Sequence, residues 1–299
     1  MKKILITGGA GFVGTLLARK LLSLGYFVRI LDVKKSSIED PNLDSCLVEL
    51  VSDIVDEEIV SDIYAVVNLA GASIFGRFTE KYKDTIYKSR IESTKNILNA
   101  FSIYRKSLPV FVSASAIGYY GDTKGLRATE DFEAGSDFLS NVCVAWEREA
   151  SRAKDIGARL VILRTAHVIG QGGLFAVLSS LFKRNIGGFF AKGLQHMPWV
   201  GADDLVDMYV FAIENEKMNG VYNTAVENPT QKELMEKIRR SVGSLFNWPI
   251  PVFMARLLYL DFADSLVVDI LIDSSKIKNE GFIFKQNDLL DVCKKSLTK

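Results

Sequence analysis

The sequence predicts an α/β fold, a doubly wound parallel sheet with a small C-terminal lobe on its substrate side. Three observations predict it. Short β-branched runs alternate with amphipathic helical patterns through the first two thirds of the 299 residues, and alternation of this kind means parallel βαβ units. A glycine-rich turn sits where the first strand meets the first helix. After Asn228-Pro229 the alternation gives way to helical stretches broken by prolines.

In chain order, residues 4–7 (Ile-Leu-Ile-Thr) form the first buried strand and residues 12–24 carry apolar side chains at helical spacing. Residues 28–32 are the second strand, and a third precedes Val51-Ser52-Asp53-Ile54. Residues 65–70, 110–114 and 160–164 are the next buried runs, separated by helices over 80–104 and 140–156 whose polar faces point outward. Gly170, Gly172, Gly173, Gly187, Gly188 and Gly193 mark loops and shorter elements. Beyond them come a helix over 230–242, the Trp248-Pro249-Ile250-Pro251 break, and further helical stretches to Lys299. Residues 1–170, with 200–228 returning, are read as a nucleotide-binding domain, and 171–199 with 229–299 as the lobe. The apolar run 254–271 is interrupted by Asp261, Asp264 and Asp269, so it reads as a core or dimer-facing helix region.

Bulk properties exclude several functions. Lys plus Arg number 37 against 36 Asp plus Glu, so no global field draws the chain to nucleic acid or an anionic membrane. A small molecule is the expected partner, and the chain is expected to be a monomer or homodimer. Cys46, Cys143 and Cys293 are odd in number and far apart, which fits neither a disulfide framework nor a C-x-x-C metal site and suits a reducing cytoplasm. Two histidines give no basis for a His-rich metal centre. Met1 leads straight into a strand and no apolar run reaches the ~18 residues of a membrane span, so a cytoplasmic location is expected.

The glycine turn reads Gly8-Gly9-Ala10-Gly11-Phe12-Val13-Gly14. Strand, loop and helix coincide with it, the context a dinucleotide-binding Rossmann fingerprint requires. Gly8 and Gly11 permit a tight turn and close approach to a pyrophosphate, Gly14 lets helix pack on strand, and the helix N-terminus offers N–H groups to the phosphates. Asp32 ends the second strand eighteen positions after Gly14, where a carboxylate accepts from the adenosine ribose hydroxyls. That favours NAD over NADP, a preference weakened by Lys34 and Lys35, which are able to neutralise a 2′-phosphate. Asp53 either accepts from the adenine amino group or caps the next helix.

With Asn68-Leu69-Ala70-Gly71 after the fourth strand and Ser113-Ala-Ser-Ala-Ile-Gly-Tyr-Tyr-Gly121 after the fifth, the chain resembles the extended short-chain dehydrogenase/reductase superfamily over nearly its whole length. Ser89-Arg90, Val142-Cys-Val-Ala-Trp-Glu147, Gly172-Gly173, Pro198-Trp-Val200 with Asp203-Asp204, and the tail over 249–284 are similar to its atypical, epimerase-like subgroup. The resemblance implies a seven-stranded sheet of order 3-2-1-4-5-6-7 and a cofactor, NAD or NADP. That cofactor would be bounded by Gly8, Gly11, Phe12, Val13, Gly14, Asp32, Lys34, Asp53, Ile54, Leu69, Ala70, Gly71 and Val168.

Active members of that superfamily use a Tyr and a Lys four residues apart on one helical face to exchange a proton as hydride moves. Aligned on Glu147, the Lys position is Cys143 and the Tyr position Leu139, and neither supports the reaction. The literal match, Tyr120 to Lys124, spans Gly-Asp-Thr and reads as a turn. Substitutes are Ser115 or Ser113 at the end of the fifth strand, a thiol at Cys143, a phenol at Tyr119 or Tyr120, and His167, where epimerase relatives often carry Asn. Arg90, Arg164 and Trp199 are the substrate-contact candidates, with Arg90 suited to a bidentate anion. Inert readings stand beside these: strand-end serine, packed cysteine, packed aromatic, solvated arginine. The expected function is an NAD(P)-dependent oxidoreductase or epimerase acting on a small polar substrate, nucleotide sugars included. The alternative is a non-catalytic NAD(P)-binding redox sensor or regulatory protein.

Overall fold

In the computed structural model, which describes residues 1–260 and 262–298, seven strands make one parallel sheet. They are β1 (Lys3–Thr7), β2 (Phe27–Asp32), β3 (Leu43–Leu47), β4 (Ile63–Asn68), β5 (Val110–Ala116), β6 (Arg159–Thr165) and β7 (Gly220–Asn223). Their spatial order, β3-β2-β1-β4-β5-β6-β7, is the expected one. The order reverses between β1 and β4, so their carboxyl ends flank the crevice in which open α/β sheets bind ligands.

Both faces of the sheet are covered because its strands are apolar on both sides, with Ile4, Leu5 and Ile6 of β1 fully buried. Side chains of this size stabilise by roughly 1.5–3 kcal/mol each when fully buried. Ile4 and Ile6 pack with Leu17, Ala18 and Leu21 of α1 (Phe12–Ser23). Leu5 faces the other way, into a cluster with Ile97, Leu98 and Phe101 of α2 (Glu80–Ile103) and Ala150 of α3 (Phe138–Ser151). α3 starts two residues earlier than its apolar pattern suggests because Asp137 caps it, accepting from Ser140 N at 3.0 Å. It stops at Ser151, and residues 152–156 tighten into a 3₁₀ turn ended by Gly157 at φ +81°.

After β6 come α4 (Gly173–Lys183), α5 (Ala202–Glu214), which lies beside α1, and α6 (Gln231–Val242). Thr230 and Glu233 close a capping box at the start of α6, and Gly243 at φ +71° ends it. Phe175, Phe182, Phe189, Trp199, Leu234, Met235, Ile238, Leu289 and Val292 gather with Cys293 in a cluster of their own. Ile272, Ile277 and Phe282 belong instead to the sheet's core. The run 254–271 is mixed: Ala255 and Ala263 are buried and Leu266 and Ile270 pack on core clusters, whereas Met254 and Leu257 are exposed, Asp264 pairs with Arg256 at 2.6 Å, and Asp269 holds His196. Asp261 and Lys299 lie outside the described residues. Among those described, no helix is long and apolar enough to cross a membrane, and no group of three His, Cys, Asp or Glu is placed to hold a metal ion.

Candidate functional site: a cleft over the sheet's carboxyl ends

A cleft of about 1140 Å³ runs along the carboxyl ends of β1, β2, β4, β5 and β6. At one end is the glycine turn. Gly8 has φ +69°, and a Cβ there would lie 2.9 Å from the Leu69 carbonyl and Ala70 nitrogen. A Cβ on Gly14 would lie 2.5 Å from the Gly8 oxygen. Gly11 differs: only the Gly8 oxygen, at 3.1 Å, stands near its missing Cβ, and the rest is open cleft. It is the N-cap of α1 and supplies no side-chain cap. Gly11, Phe12, Val13 and Gly14 all border the cleft and the first turn of α1 carries no acidic residue, so the positive end of the helix faces the cleft. This is a cradle that a pyrophosphate fits and a side chain would fill.

Asp32 and Lys34 line the next stretch. The Asp32 carboxylate accepts from Ala10 N at 2.9 Å and Lys34 N at 3.1 Å, pinning the glycine turn to the end of β2. Asp53 does not reach the cleft. It turns back on its own loop, accepting from Glu49 N at 2.7 Å and Ser52 Oγ at 3.2 Å, and Ile54 is 83 % exposed. Leu50, Val51 and Ser52 form that wall instead. Leu69, Ala70 and Gly71 line the floor, held by Thr7 Oγ1, which accepts from Leu69 N and Ala70 N and donates to Asn68 Oδ1 at 2.8 Å. Asn68 Nδ2 then donates to Thr94 Oγ1 and Ser113 Oγ, and Trp146 Nε1 donates to Thr94. Ser113 is thus a strut in a buried polar network, outside the cleft lining.

The same cleft is also lined by Ser115, Leu139, Cys143, Trp146, Arg90, His167 and Val168. Ser115 Oγ donates to Glu147 Oε1 at 2.6 Å. Glu147 in turn takes the Arg164 guanidinium in a fork, Nε to Oε1 at 2.8 Å and Nη2 to Oε2 at 2.9 Å. Burial opposes the Arg164 charge, and the Glu147 bonds and charge more than offset it, so its pKa lies above the ordinary value. Arg164 Nη1 donates to Tyr120 Oη and the Glu130 carbonyl, and the guanidinium lies 3.4 Å over the Tyr119 ring. Tyr120 Oη donates to Asn223 Oδ1 at 2.7 Å, and burial pushes its pKa up to about 12. The structure therefore removes Arg164, Tyr119 and Tyr120 from the cleft lining and makes them, with Glu147 and Asn223, the buried joint between β5, β6, β7 and α3. Lys124, at φ +53° after the Gly121 turn, is not in register with Tyr120. Trp199 is fully buried in the apolar cluster of Phe175, Phe182 and Leu234, not in the cleft wall.

His167 stands where the short strand His167–Ile169 passes the cleft. Its Nδ1 is 2.8 Å from the Pro198 carbonyl oxygen, and a carbonyl only accepts, so Nδ1 carries the proton and Nε2 the lone pair. Burial lowers its pKa, with the Pro198 bond opposing; the ring is neutral at pH 7. Two groups that sequence patterns did not single out also border the cleft: Tyr209, buried and paired with Thr165, and His196, whose Nδ1 is 2.8 Å from Asp269 Oδ1. Their partners lie 44 and 73 positions away, and no local pattern signals them.

Cys143 borders the cleft, but burial, then the charge of Glu147, pushes its thiol up to about 12. At pH 8 such a group is about one part in 10⁴ thiolate, and the thiolate is the nucleophile. Iodoacetamide applied to the native protein at pH 8 is expected to leave Cys143 unlabelled, as read by peptide mass spectrometry. Rapid native labelling would mean an activated thiol.

The profile described as NAD dependent epimerase/dehydratase family matches residues 4–225. Among curated proteins, the chain is similar to an epimerase family protein of Staphylococcus haemolyticus, 32% identical over 292 residues and covering 97% of each chain. It is also similar to the epimerase family protein YfhF of Bacillus subtilis, 30% identical over 96% of this chain and 95% of that one. Among solved structures, the human epimerase family protein SDR39U1 with NADPH superposes with a TM-score of 0.86 at 24% identity, covering 98% of both chains. UDP-glucose 4-epimerase of Thermus thermophilus in complex with NAD gives 0.78 at 20%, covering 97% of this chain and 96% of that one. At those identities the structural likeness is one of fold. The profile match and the full-length relatives carry the assignment further: this chain belongs to the NAD-dependent epimerase/dehydratase family.

Proposed function

We propose that the chain is an NAD(P)-linked oxidoreductase or epimerase that acts on a small polar substrate, nucleotide sugars included, without a Tyr–Lys couple. The observation that carries this reading is the continuity of one cleft from the glycine turn to Ser115, His167 and Arg90. A bare cofactor-binding site has no use for the second half of it. Gly8, Gly11 and Gly14 with the N-terminus of α1 would hold the pyrophosphate, and Asp32 with Lys34 would meet the adenosine ribose. The Asp32 carboxylate favours NAD, and Lys34 beside it leaves NADP open. When bound, the dinucleotide supplies a hydride acceptor or donor.

The remaining chemistry falls to the chain's own side chains. Leu139 and Cys143 would occupy the positions of the family's Tyr and Lys, and a hydrocarbon and a protonated thiol move no proton at neutral pH. Ser115 Oγ, its own proton directed at Glu147, presents lone pairs to a substrate hydroxyl and orients it. His167 Nε2 is the neutral base suited to take the proton that leaves with the hydride. The Leu139 and Cys143 substitutions favour a second reading, a dinucleotide-binding redox sensor that has lost proton transfer.

One experiment separates the two. Nucleotide sugars, aldehydes and ketones are screened with NADH and NADPH, and Ser115→Ala is then assayed on whatever turns over. We expect kcat to fall tenfold or more, ~1.4 kcal/mol of transition-state stabilisation. An unchanged kcat would remove Ser115 from the mechanism. Tight cofactor binding without turnover across the screen would favour the sensor.

A further inference from the structure

Among the described residues, Arg90 is a cation held without a counter-charge. It lies on α2, borders the cleft beside Cys143 and is largely withdrawn from water. Its guanidinium has five N–H donors. Nη1 donates to the Ile86 carbonyl and Nη2 to the Ala72 carbonyl, both at 3.1 Å. Among the described residues no carboxylate pairs with it, and the remaining three donors have no protein acceptor. Burial lowers its pKa, and the titratable groups near enough to act on it are a thiol and a phenol, Cys143 and Tyr82, not a carboxylate. The cleft's carboxylates are committed elsewhere: Asp84 to Lys88 at 2.8 Å, Asp137 to the cap of α3, Asp32 to the glycine turn, Glu49 to Val51 N in its own loop.

The guanidinium is also fixed in orientation. One face lies over the Trp146 ring, 5.3 Å from its centroid. Beneath it runs the backbone of Gly71, where a Cβ would come within 3.0 Å of Arg90 Cζ. Ser89 Oγ accepts from Ala72 N at 2.9 Å and ties the same loop to α2. A half-buried charge held rigidly without a counter-charge carries a desolvation cost, and an anion that meets it offsets that cost. Held flat, a guanidinium fork matches a carboxylate or phosphate with two parallel bonds.

We infer that Arg90 is the anion subsite of the substrate: the molecule acted on carries a carboxylate or phosphate group at the reacting end of the cleft, beside Ser115 and Cys143. This rests on the proposed enzymatic reading and narrows it from polar to acidic substrates. The pyrophosphate of the dinucleotide is served by the N-terminus of α1, which leaves the Arg90 donors to the second reactant.

The test uses the full chain loaded with NAD and titrated calorimetrically with malonate, glycerol 2-phosphate and neutral glycerol, for wild type, Arg90→Gln and Arg90→Lys. We expect at least one anion to bind wild type and glycerol not to bind. Arg90→Gln should weaken the anion tenfold or more, Arg90→Lys less than that, and the NAD affinity should stay within twofold. The tighter of malonate and glycerol 2-phosphate names the group as carboxylate or phosphate. The inference is overturned if neither anion binds wild type, if Arg90→Gln binds anions as wild type does, or if that variant loses NAD rather than the anion. Should Arg90→Gln not fold, Arg90→Lys keeps the charge and loses the fork, and an unweakened anion there overturns the subsite equally. If wild type fails to hold NAD, the enzymatic reading fails, while the anion titration of the unloaded chain still reports on Arg90.

Discussion

Gly11→Val is expected to lower the affinity for NAD and NADP at least a hundredfold, ~2.7 kcal/mol, while leaving the fold intact. The asymmetry among the three glycines is what makes this substitution informative. Gly8 and Gly14 are enclosed by backbone, at 2.9 and 2.5 Å from a hypothetical Cβ, and Gly8 also needs a positive φ. Any side chain at those positions disturbs the chain itself. Gly11 is extended, at φ −73° and ψ 177°, a conformation that β-branched residues adopt readily. Its side of the turn opens on the cleft. Valine there would fill the cradle at the head of α1 and hold phosphate oxygens away from the N–H groups of the first turn. Titration of both cofactors by fluorescence or calorimetry, with thermal melts as the folding control, reads the result. Equal binding by wild type and variant would sink the cofactor assignment.

The sheet and the glycine turn were legible because their signals are local. Ile4 to Gly14 holds strand, turn and helix start within eleven positions, and each apolar run is short, β-branched and bounded by turn residues. β3 was harder to delimit: Asp44 and Ser45 are weak strand formers at an edge of the sheet, where one side lacks a partner. Ser115, Cys143, His167 and Arg90, singled out from the sequence, line the cleft. Arg164, Tyr120 and Trp199 were misjudged because their surroundings are set by residues far away in the chain. Arg164 stands at the carboxyl end of β6, where cleft residues are expected, and its partners Glu147, Tyr120 and Glu130 come from three other segments. Asp53 failed for the opposite reason. A shorter-range bond, to Glu49 N four positions back, closes the loop before its carboxylate reaches the cleft.

Arg164→Met is expected to destabilise the chain by ~3–5 kcal/mol, the range for breaking a buried ion pair by removing one partner. Arg164 is 3 % exposed, and the Glu147 carboxylate that would be left behind is 11 % exposed. The loss also unpairs the Glu130 carbonyl and removes the guanidinium from the Tyr119 face. Urea denaturation followed by circular dichroism measures it, and a loss below ~1 kcal/mol would mean that the pair behaves like an exposed one. Replacing both partners, Glu147→Leu with Arg164→Met, should recover much of that loss, because no uncompensated charge then remains buried. The double variant carries a second consequence. Ser115 Oγ donates to Glu147 and, among the described residues, to no other side chain. With leucine at 147 the hydroxyl proton turns free toward the cleft, so a folded double variant should keep dinucleotide affinity and lose turnover to the extent that Ser115 depends on Glu147 for its orientation. Recovered stability with full turnover would show that the Ser115 hydroxyl orients itself, and that Glu147 serves only to hold Arg164 between β6 and α3.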